Sequence, residues 1–239
     1  MQHDVVLDID FDYCVRPTLG RGYADRSRQP ASMRVWMGAN ELVTWLKQNN
    51  LFHPGGFAGA VESHEQVLPI WAALLASESV RAPFDLLHID AHPDMMEIDE
   101  ETARSIGQPG SENNNLFRNA KPGDFLQYAV RLGWINRVWM LFPDEERGRV
   151  AGLVAAGPSY VSTIVRKTVE SVVEGATGGT DLTVRVGDRS FNVLLHTRAT
   201  LPPIRRPVAT VLAHSPEFVP PGADSEYRRL VRYFGGLLC

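Results

Sequence analysis

Two acidic stretches of the chain, LDIDFD and IDAHPD, contain the residue types that bind divalent metal ions. In the second stretch Asp90, His92 and Asp94 alternate along a predicted strand end, so their side chains share one face and can converge on a point. Carboxylate oxygens and an imidazole nitrogen at this spacing suit a divalent cation such as Mn²⁺ or Zn²⁺. This segment therefore predicts a divalent-metal site.

The first acidic stretch repeats this pattern on another predicted strand. Asp8 and Asp10 follow the apolar run 5–7, and Asp12 continues the alternation. Carboxylates on one face repel each other unless a cation neutralises them, which favours metal binding over a solvated strand end. Asp-x-Asp after an apolar strand also occurs in haloacid-dehalogenase phosphatases, but Phe11 stands where that signature has Thr or Val.

A histidine at the start of a predicted helix completes the candidate ligands. His64 lies in ESHEQV, after the Gly-rich stretch 55–59, and Ser63 can cap the helix. A single histidine in this position is more often structural, so its assignment depends on the two acidic stretches. The expected metal ligands are Asp8, Asp10, His64, Asp90, His92 and Asp94.

Short apolar strands alternate with helices along the chain. The predicted strands are residues 5–9, 84–89, 137–142 and 208–213, and the predicted helices are 40–48, 64–75, 124–132 and 225–238. This alternation is typical of an α/β protein with a three-layer, mostly parallel sheet flanked by helices. In such sheets ligands bind beyond the carboxyl ends of the strands, where both acidic stretches lie.

One region departs from the alternation. TDLTVRV and RSFNVLL, joined by Gly187-Asp188, predict an antiparallel β-hairpin. We interpret this hairpin as part of an insertion at about residues 160–196 in a single domain of residues 1–239.

The composition argues against a nucleic-acid-binding, membrane or secreted protein. The net charge of −4 gives no field that would favour nucleic acid or an anionic membrane, and no stretch approaches the roughly 18 apolar residues of a membrane span. The N-terminus has acids where a signal peptide has basic and then apolar residues, and two cysteines, Cys14 and Cys239, do not form a disulfide framework. We expect a soluble, cytoplasmic protein.

Taken together, ESHEQ, IDAHPD and LDIDFD resemble the three motifs of metal-dependent ureohydrolases, the arginase and agmatinase family. Asp-x-Asp usually comes last in that family and here comes first, which looks like a circular permutation. The permuted order, closing in SPEF, is similar to a branch that includes peptide arginases, which convert arginine to ornithine within ribosomally made peptides. The resemblance covers residues 5–12, about 55–95 and 208–220.

The resemblance implies two Mn²⁺ ions per chain. The first would be held by His64, Asp90, Asp94 and Asp8. The second would be held by His92, Asp90, Asp8 and Asp10. The family's chemistry is attack of an activated water on the guanidinium carbon, with Asp94 passing a proton to the leaving amine. Glu217, in HSPEF, is our candidate for pairing the guanidinium, because a carboxylate matches its planar fork.

Two departures from the family pattern leave alternatives open. Arginases have a further His downstream of Asp-Ala-His-x-Asp that is thought to shuttle protons, whereas here no His occurs between His92 and His196. His196, His214 or water could take that role. Asp12 is offset from the family's Asp-Pro, so the ligating pair could be Asp10 and Asp12; we prefer Asp8 and Asp10, which directly follow Leu7.

The expected function is hydrolysis of peptidyl arginine to peptidyl ornithine and urea. Alternatives are a small-molecule amidinohydrolase of the agmatinase kind, an amide deacetylase, and a metal-stabilised binding module without catalysis. The predicted loop 16–34 favours a large, acidic partner such as a precursor peptide, and an assembly of identical subunits is compatible with the sequence. The arginines of that loop are Arg16, Arg21, Arg26, Arg28 and Arg34.

Overall fold

The computed structural model describes residues 2–19, 22, 24–96, 98–106, 116–143, 180–186 and 189–235. Within these residues it contains nine β-strands and five α-helices. The strands are β1 (Val5–Asp10), β2 (Val15–Arg16), β3 (Arg34–Val35), β4 (Phe57–Val61), β5 (Phe84–Ile89), β6 (Ile135–Leu141), β7 (Thr180–Val186), β8 (Arg189–His196) and β9 (Ala209–Ala213). The helices are α1 (Ala39–Gln48), α2 (Val67–Ala76), α3 (Glu100–Ser105), α4 (Phe125–Arg131) and α5 (Asp224–Tyr233).

Seven of the strands form one sheet in the order β4-β9-β1-β5-β6-β8-β7. Every neighbouring pair from β4 to β8 is parallel, and β7 pairs antiparallel with β8. Helices flank the parallel strands, so the predicted α/β three-layer fold is confirmed. β1, β5 and β9 are buried along their whole length, which explains why most of their residues are apolar.

The two faces of the sheet carry separate hydrophobic cores. On one face Trp71 of α2 and Phe125 of α4 pack together, with ring centroids 5.9 Å apart. Burying a phenylalanine side chain of this kind contributes about 1.5–3 kcal/mol. The core on the other face includes residues of α1 and α5, among them Leu42, Leu46, Leu230 and Val231.

Alternation along β1 decides which face the acids take. Val6 belongs to the core with α2 and α4, whereas Leu7 belongs to the core with α1 and α5. Asp8 and Asp10 therefore lie on the same face of the sheet as Val6. The polar groups are thus brought to the side of the sheet on which α2 lies.

One helix start is capped by a nearby residue and another by a residue far away in the chain. Ser63 caps the predicted helix, in a capping box with Gln66, but the first turn, His64–Gln66, is 3₁₀ and α2 begins at Val67. In the first predicted helix, residues 40–48, the sequence offers Asn40 as an N-cap, and this prediction is wrong. The helix begins at Ala39, whose backbone N–H donates to the Glu226 carboxylate at 2.8 Å.

The predicted β-hairpin is confirmed, since β7 and β8 pair from Thr180↔Leu195 to Val186↔Arg189. β8 also pairs in parallel with β6, so the hairpin extends the central sheet. Residues 160–179 of the predicted insertion lie outside the described residues, and the insertion stays a prediction. None of the described helices has both the length and the apolar character needed to cross a membrane.

Candidate metal centre

Eight acidic and histidine side chains gather near the carboxyl ends of β1 and β5, and we call them the Asp/His cluster. They are Asp8, Asp10, Asp12, His64, His88, Asp90, His92 and Asp94. β1 and β5 are parallel neighbours, with Asp8 opposite His88, so Asp10 at the end of β1 lies beside Asp90 just after β5. All of these side chains except His92 are buried. Burying so many ionisable groups is costly unless they compensate one another or a cation.

His64 is the centre of the first group. Its Nδ1 atom lies 3.0 Å from Asp10 Oδ2, 3.1 Å from Asp90 Oδ2 and 2.9 Å from Asp94 Oδ2. None of these contacts has hydrogen-bond geometry, so Nδ1 is a buried nitrogen without a hydrogen-bond partner. Adjacent ligands of an ion with bonds of about 2.1 Å are about 3 Å apart, which is the spacing found here. The donor atoms therefore fit a divalent cation.

A second group adjoins the first and shares Asp90 with it. His92 Nδ1 lies 2.7 Å from Asp12 Oδ2 and 3.7 Å from Asp90 Oδ1. The backbone N–H of Ala91 donates to Asp12 Oδ1 at 3.2 Å and holds that carboxylate in place. Asp12, Asp90 and His92 bring three potential ligand atoms within 4.8 Å of one another, as do Asp10, His64 and Asp90.

Asp8 is grouped with two histidines, one of them not singled out by the sequence. Its Oδ2 atom accepts hydrogen bonds from His64 Nε2 at 2.9 Å and from His88 Nδ1 at 2.8 Å. Asp8, His64 and His88 also satisfy the spacing for a metal, as do His88, Asp90 and Asp94. His88 could have been found from the sequence, because it precedes Asp90 by two residues on a strand and so shares its face.

The six predicted ligands all belong to the cluster, but the backbone that presents Asp94 is not extended as expected. The chain leaves β5 after Ile89, and Asp94 has φ of +46°, in the left-handed region. Aspartate is among the residues that tolerate this region best. Asp94 thus reaches His64 from a turn, whereas the alternation argument placed it on a strand.

The carboxylates and imidazoles perturb one another's protonation. Burial would lower the pKa of His88, but its contacts with Asp8 and Asp90 raise that pKa to about 10. The carboxylates around His64 and His92 likewise raise the pKa of both histidines well above the usual range, against the effect of burial. Burial, aided by the neighbouring Asp90, raises the pKa of Asp94 to about 7.

The segment after β9 forms one wall of the cluster. Ser215, itself left-handed with φ of +49°, donates from Oγ to Asp10 Oδ2 at 2.5 Å. The ring of Phe218 lies 4.7 Å from that of His92. Glu217 lies between these two contacts in the chain, half-buried, and burial raises the pKa of its carboxyl. The predicted guanidinium partner is therefore at the edge of the cluster.

The other predicted histidines lie farther out. His214 is held between two carboxylates, Glu62 at 3.0 Å and Asp224 at 3.2 Å, and stacks on Tyr227 with ring centroids 4.4 Å apart. His196 ends β8, which is separated from β5 by β6. The predicted proton shuttle thus stays open between these histidines and water.

Two arginines of the loop 16–34 make contacts within the protein. The Arg16 guanidinium lies 3.9 Å from the centre of the Trp36 ring, and Arg26 forms an ion pair with Asp224 at 2.6 Å. Arg34 is exposed. Arg21 and the side chain of Arg28 lie outside the described part of the structure.

Comparison with known proteins adds no family assignment. No protein-family model matches the chain, and a search of curated proteins finds no match to it. The resemblance to ureohydrolases therefore stays a prediction that depends on the motifs and on the cluster they form.

Proposed function

We propose that this chain is a two-metal hydrolase that converts peptidyl arginine to peptidyl ornithine and urea, in the maturation of ribosomally made peptides. The observation that carries the proposal is the convergence of three carboxylate oxygens on His64 Nδ1, which has no hydrogen-bond partner. The Asp12–His92 pair adjoins this group through Asp90. A buried Asp/His cluster of this composition is consistent with a metal-dependent hydrolase. Guanidinium as the substrate group comes from the resemblance of the three motifs to those of ureohydrolases.

The contacts favour one of the two ligand pairs left open by the sequence. Asp12 lies with His92 and Asp90 in one set of potential ligand atoms, whereas Asp8 lies with His64 and His88. Asp8 Oδ2 accepts two imidazole hydrogen bonds, from His64 and His88, and Asp12 Oδ2 accepts one, from His92. Asp10 faces His64 Nδ1 without a hydrogen bond. In the proposed centre one Mn²⁺ would be held by His64, Asp10, Asp90 and Asp94. The other would be held by His92, Asp12 and the shared Asp90. The proposal thus gives Asp10 the place first assigned to Asp8, and Asp12 the place first assigned to Asp10.

Besides holding the cations, the protein's own groups have two tasks in the proposed reaction: proton transfer and binding of the guanidinium. When bound, the two cations would supply an acidified water nucleophile and offset the charge of the buried carboxylates. Water adds to the guanidinium carbon, the bond from that carbon to the side-chain nitrogen breaks, and urea leaves. Asp94, which lies beside His64 in the cluster, would take a proton from the nucleophile and return it to the leaving amine. Glu217 would hold the guanidinium by a charge-assisted pair.

A direct assay tests the proposal. Mn²⁺-loaded protein is incubated with free arginine, agmatine, an Arg-containing peptide and an acetylated peptide, and urea and peptide mass are measured. We expect urea and a peptide mass loss of about 42 units per modified arginine, from removal of CN₂H₂ by hydrolysis. A kcat/KM for free arginine or agmatine equal to or above that for every peptide would assign the protein to small-molecule amidinohydrolases. Metal binding without hydrolysis of any compound would favour the non-catalytic module.

A further inference from the structure

Asp8 and His88 form a buried pair that precedes the proposed ligands on their strands. They face each other on the neighbouring strands β1 and β5, two residues before Asp10 and Asp90. Both side chains are completely buried. Burying a carboxylate and an imidazole completely costs free energy unless hydrogen bonds and opposite charges compensate for the lost solvation.

The contacts of this pair connect two of the proposed ligands, His64 and Asp90. Asp8 Oδ2 accepts a hydrogen bond from His64 Nε2 at 2.9 Å and a second from His88 Nδ1 at 2.8 Å. The other nitrogen of His88, Nε2, lies 3.2 Å from Asp90 Oδ2, an ion-pair contact without hydrogen-bond geometry. A continuous chain of contacts therefore runs from His64 through Asp8 and His88 to Asp90.

The two nitrogens of His64 have different surroundings. Nε2 is engaged by Asp8, whereas Nδ1 faces the oxygens of Asp10, Asp90 and Asp94 without a hydrogen bond. Histidines that bind metals usually donate their second N–H to a carboxylate, which fixes the tautomer and the orientation of the ring. Asp8 occupies the place of that carboxylate.

We propose that Asp8 and His88 are positioning residues that orient His64 and Asp90 for metal binding and are not themselves ligands. This inference rests on the metal centre proposed above. Asp8 holds His64 with Nδ1 toward the site, and His88 fixes both Asp8 and the shared carboxylate of Asp90. Removing either partner leaves the proposed ligands in place but less well oriented.

Metal-binding measurements on three variants test the proposal. Asp8→Asn and His88→Gln each remove half of the pair, and Asp85→Asn is the control, since Asp85 is a buried carboxylate near the start of β5 that contacts Asn136 and Arg137. Mn²⁺ affinity is measured by titration calorimetry, and the number of bound ions by elemental analysis at saturation. We expect the first two variants to bind the wild-type number of ions with a Kd about 10–100-fold higher, and Asp85→Asn to match wild type.

Two results would overturn the positioning role. Loss of one ion at saturating Mn²⁺ in Asp8→Asn or His88→Gln would make that residue a ligand, and an unchanged Kd in both would remove its connection with the metal. A wild-type protein that binds no Mn²⁺ would instead refute the proposed metal centre itself.

A measurement on the wild-type protein avoids any dependence on variants that fail to fold. In ¹⁵N-histidine NMR spectra of the Zn²⁺-loaded protein, we expect His64 to carry its proton on Nε2 and to show the metal-induced shift at Nδ1. The opposite assignment, with the metal on Nε2, would contradict the role given to Asp8.

Discussion

Asp90 is the residue on which the two ligand groups meet. One of its oxygens lies 3.1 Å from His64 Nδ1, and the other lies 3.7 Å from His92 Nδ1. Its Oδ1 atom also accepts a hydrogen bond from the backbone N–H of His92 at 2.6 Å, and His88 Nε2 lies 3.2 Å from its Oδ2 atom. Burial would raise the pKa of Asp90, but His64 and His88 lower it well below the usual range and keep it ionised.

We predict that Asp90→Asn weakens binding of both metals and lowers hydrolytic activity by more than about 100-fold, because the amide cannot bridge two cations. Bound metal and urea release are measured together, with Asp85→Asn as the matched control. Retention of two tightly bound ions in Asp90→Asn would show that this carboxylate is not shared.

Asp12→Asn separates the two possible ligand pairs. Asp12 lies 2.7 Å from His92, so we expect its variant to lose one of two Mn²⁺ ions at saturation and nearly all activity. Elemental analysis of Asp12→Asn beside Asp8→Asn gives the answer. If Asp12→Asn keeps both ions and Asp8→Asn loses one, the ligating pair is Asp8 and Asp10, as the sequence first favoured.

Glu217 is predicted to act on the substrate and not on the metal. Glu217→Gln keeps the size of the side chain but loses the charge that would pair a guanidinium, so we expect KM for an Arg-containing peptide to rise about 10-fold or more. The Mn²⁺ affinity should stay at the wild-type value, and Glu41→Gln on α1 should leave both parameters unchanged. An unaltered KM in Glu217→Gln would remove Glu217 from the substrate site.

The sequence could predict the candidate ligands because each lies at a fixed offset from a strand or helix end. It could not decide between Asp8 and Asp12, since all three acids of LDIDFD alternate onto one face and only the neighbouring strands distinguish them. The structure shows that the surroundings of the two acids differ, with His88 opposite Asp8 and the Ala91 N–H beside Asp12. The left-handed turn at Asp94 also has no signal in the residue pattern.

At the scale of elements, the join between the turn before β4 and the residue before β9 leaves no room for a side chain. A Cβ atom on Gly56 would lie 2.6 Å from the backbone oxygen of Val208 and 2.8 Å from His53 Nδ1. The oxygen belongs to the backbone and cannot rotate away. β4, which leads to His64, is therefore held tightly against β9.

We predict that Gly56→Ala destabilises the protein by about 1–3 kcal/mol, because the added methyl group must displace the chain before β9. Thermal or denaturant unfolding measures the change. Gly222→Ala is the control, since a Cβ atom there meets nothing within 4 Å, and its stability should equal or slightly exceed that of wild type. Equal stability of Gly56→Ala and wild type would contradict the close approach.

The elements were predictable where their signals are local. Apolar runs between acids identified β1 and β5, and Gly187-Asp188 identified the hairpin of β7 and β8. The start of α1 was predicted to within one residue, but its capping group was not predictable, because the first N–H is bound by Glu226, a residue far away in the chain. The order of the strands in the sheet also depends on contacts that no local pattern contains.

For the whole molecule, the Asp/His cluster links stability to pH. The folded-state pKa of His88 is raised from 6.5 to about 10, so its contribution to stability is complete below pH 6.5 and is lost as the pH rises toward 10. His64 and His92 are shifted in the same direction. The pKa of Asp94 is raised from 3.8 to about 7, so this group adds a loss of stability as the pH rises from 3.8 to about 7.

We predict that the melting temperature of the metal-free protein falls between pH 6.5 and 8.5, which scanning calorimetry in the presence of a chelator can follow. Cations displace protons from imidazoles and carboxylates, so metal binding tightens as pH rises. The difference in melting temperature between Mn²⁺-loaded and metal-free protein should therefore widen over the same range. A difference independent of pH would mean that the metal does not compete with these protons.

The position of β9 has a consequence for how the protein is made in the cell. β9 is the last strand in the chain but lies between β4 and β1, where it joins the part that leads to His64 with the part that carries Asp10. A nascent chain halted on the ribosome before residue 209 would contain every proposed ligand and still lack the strand that connects them. The proposed ligands would therefore acquire metal only after β9 has been synthesised.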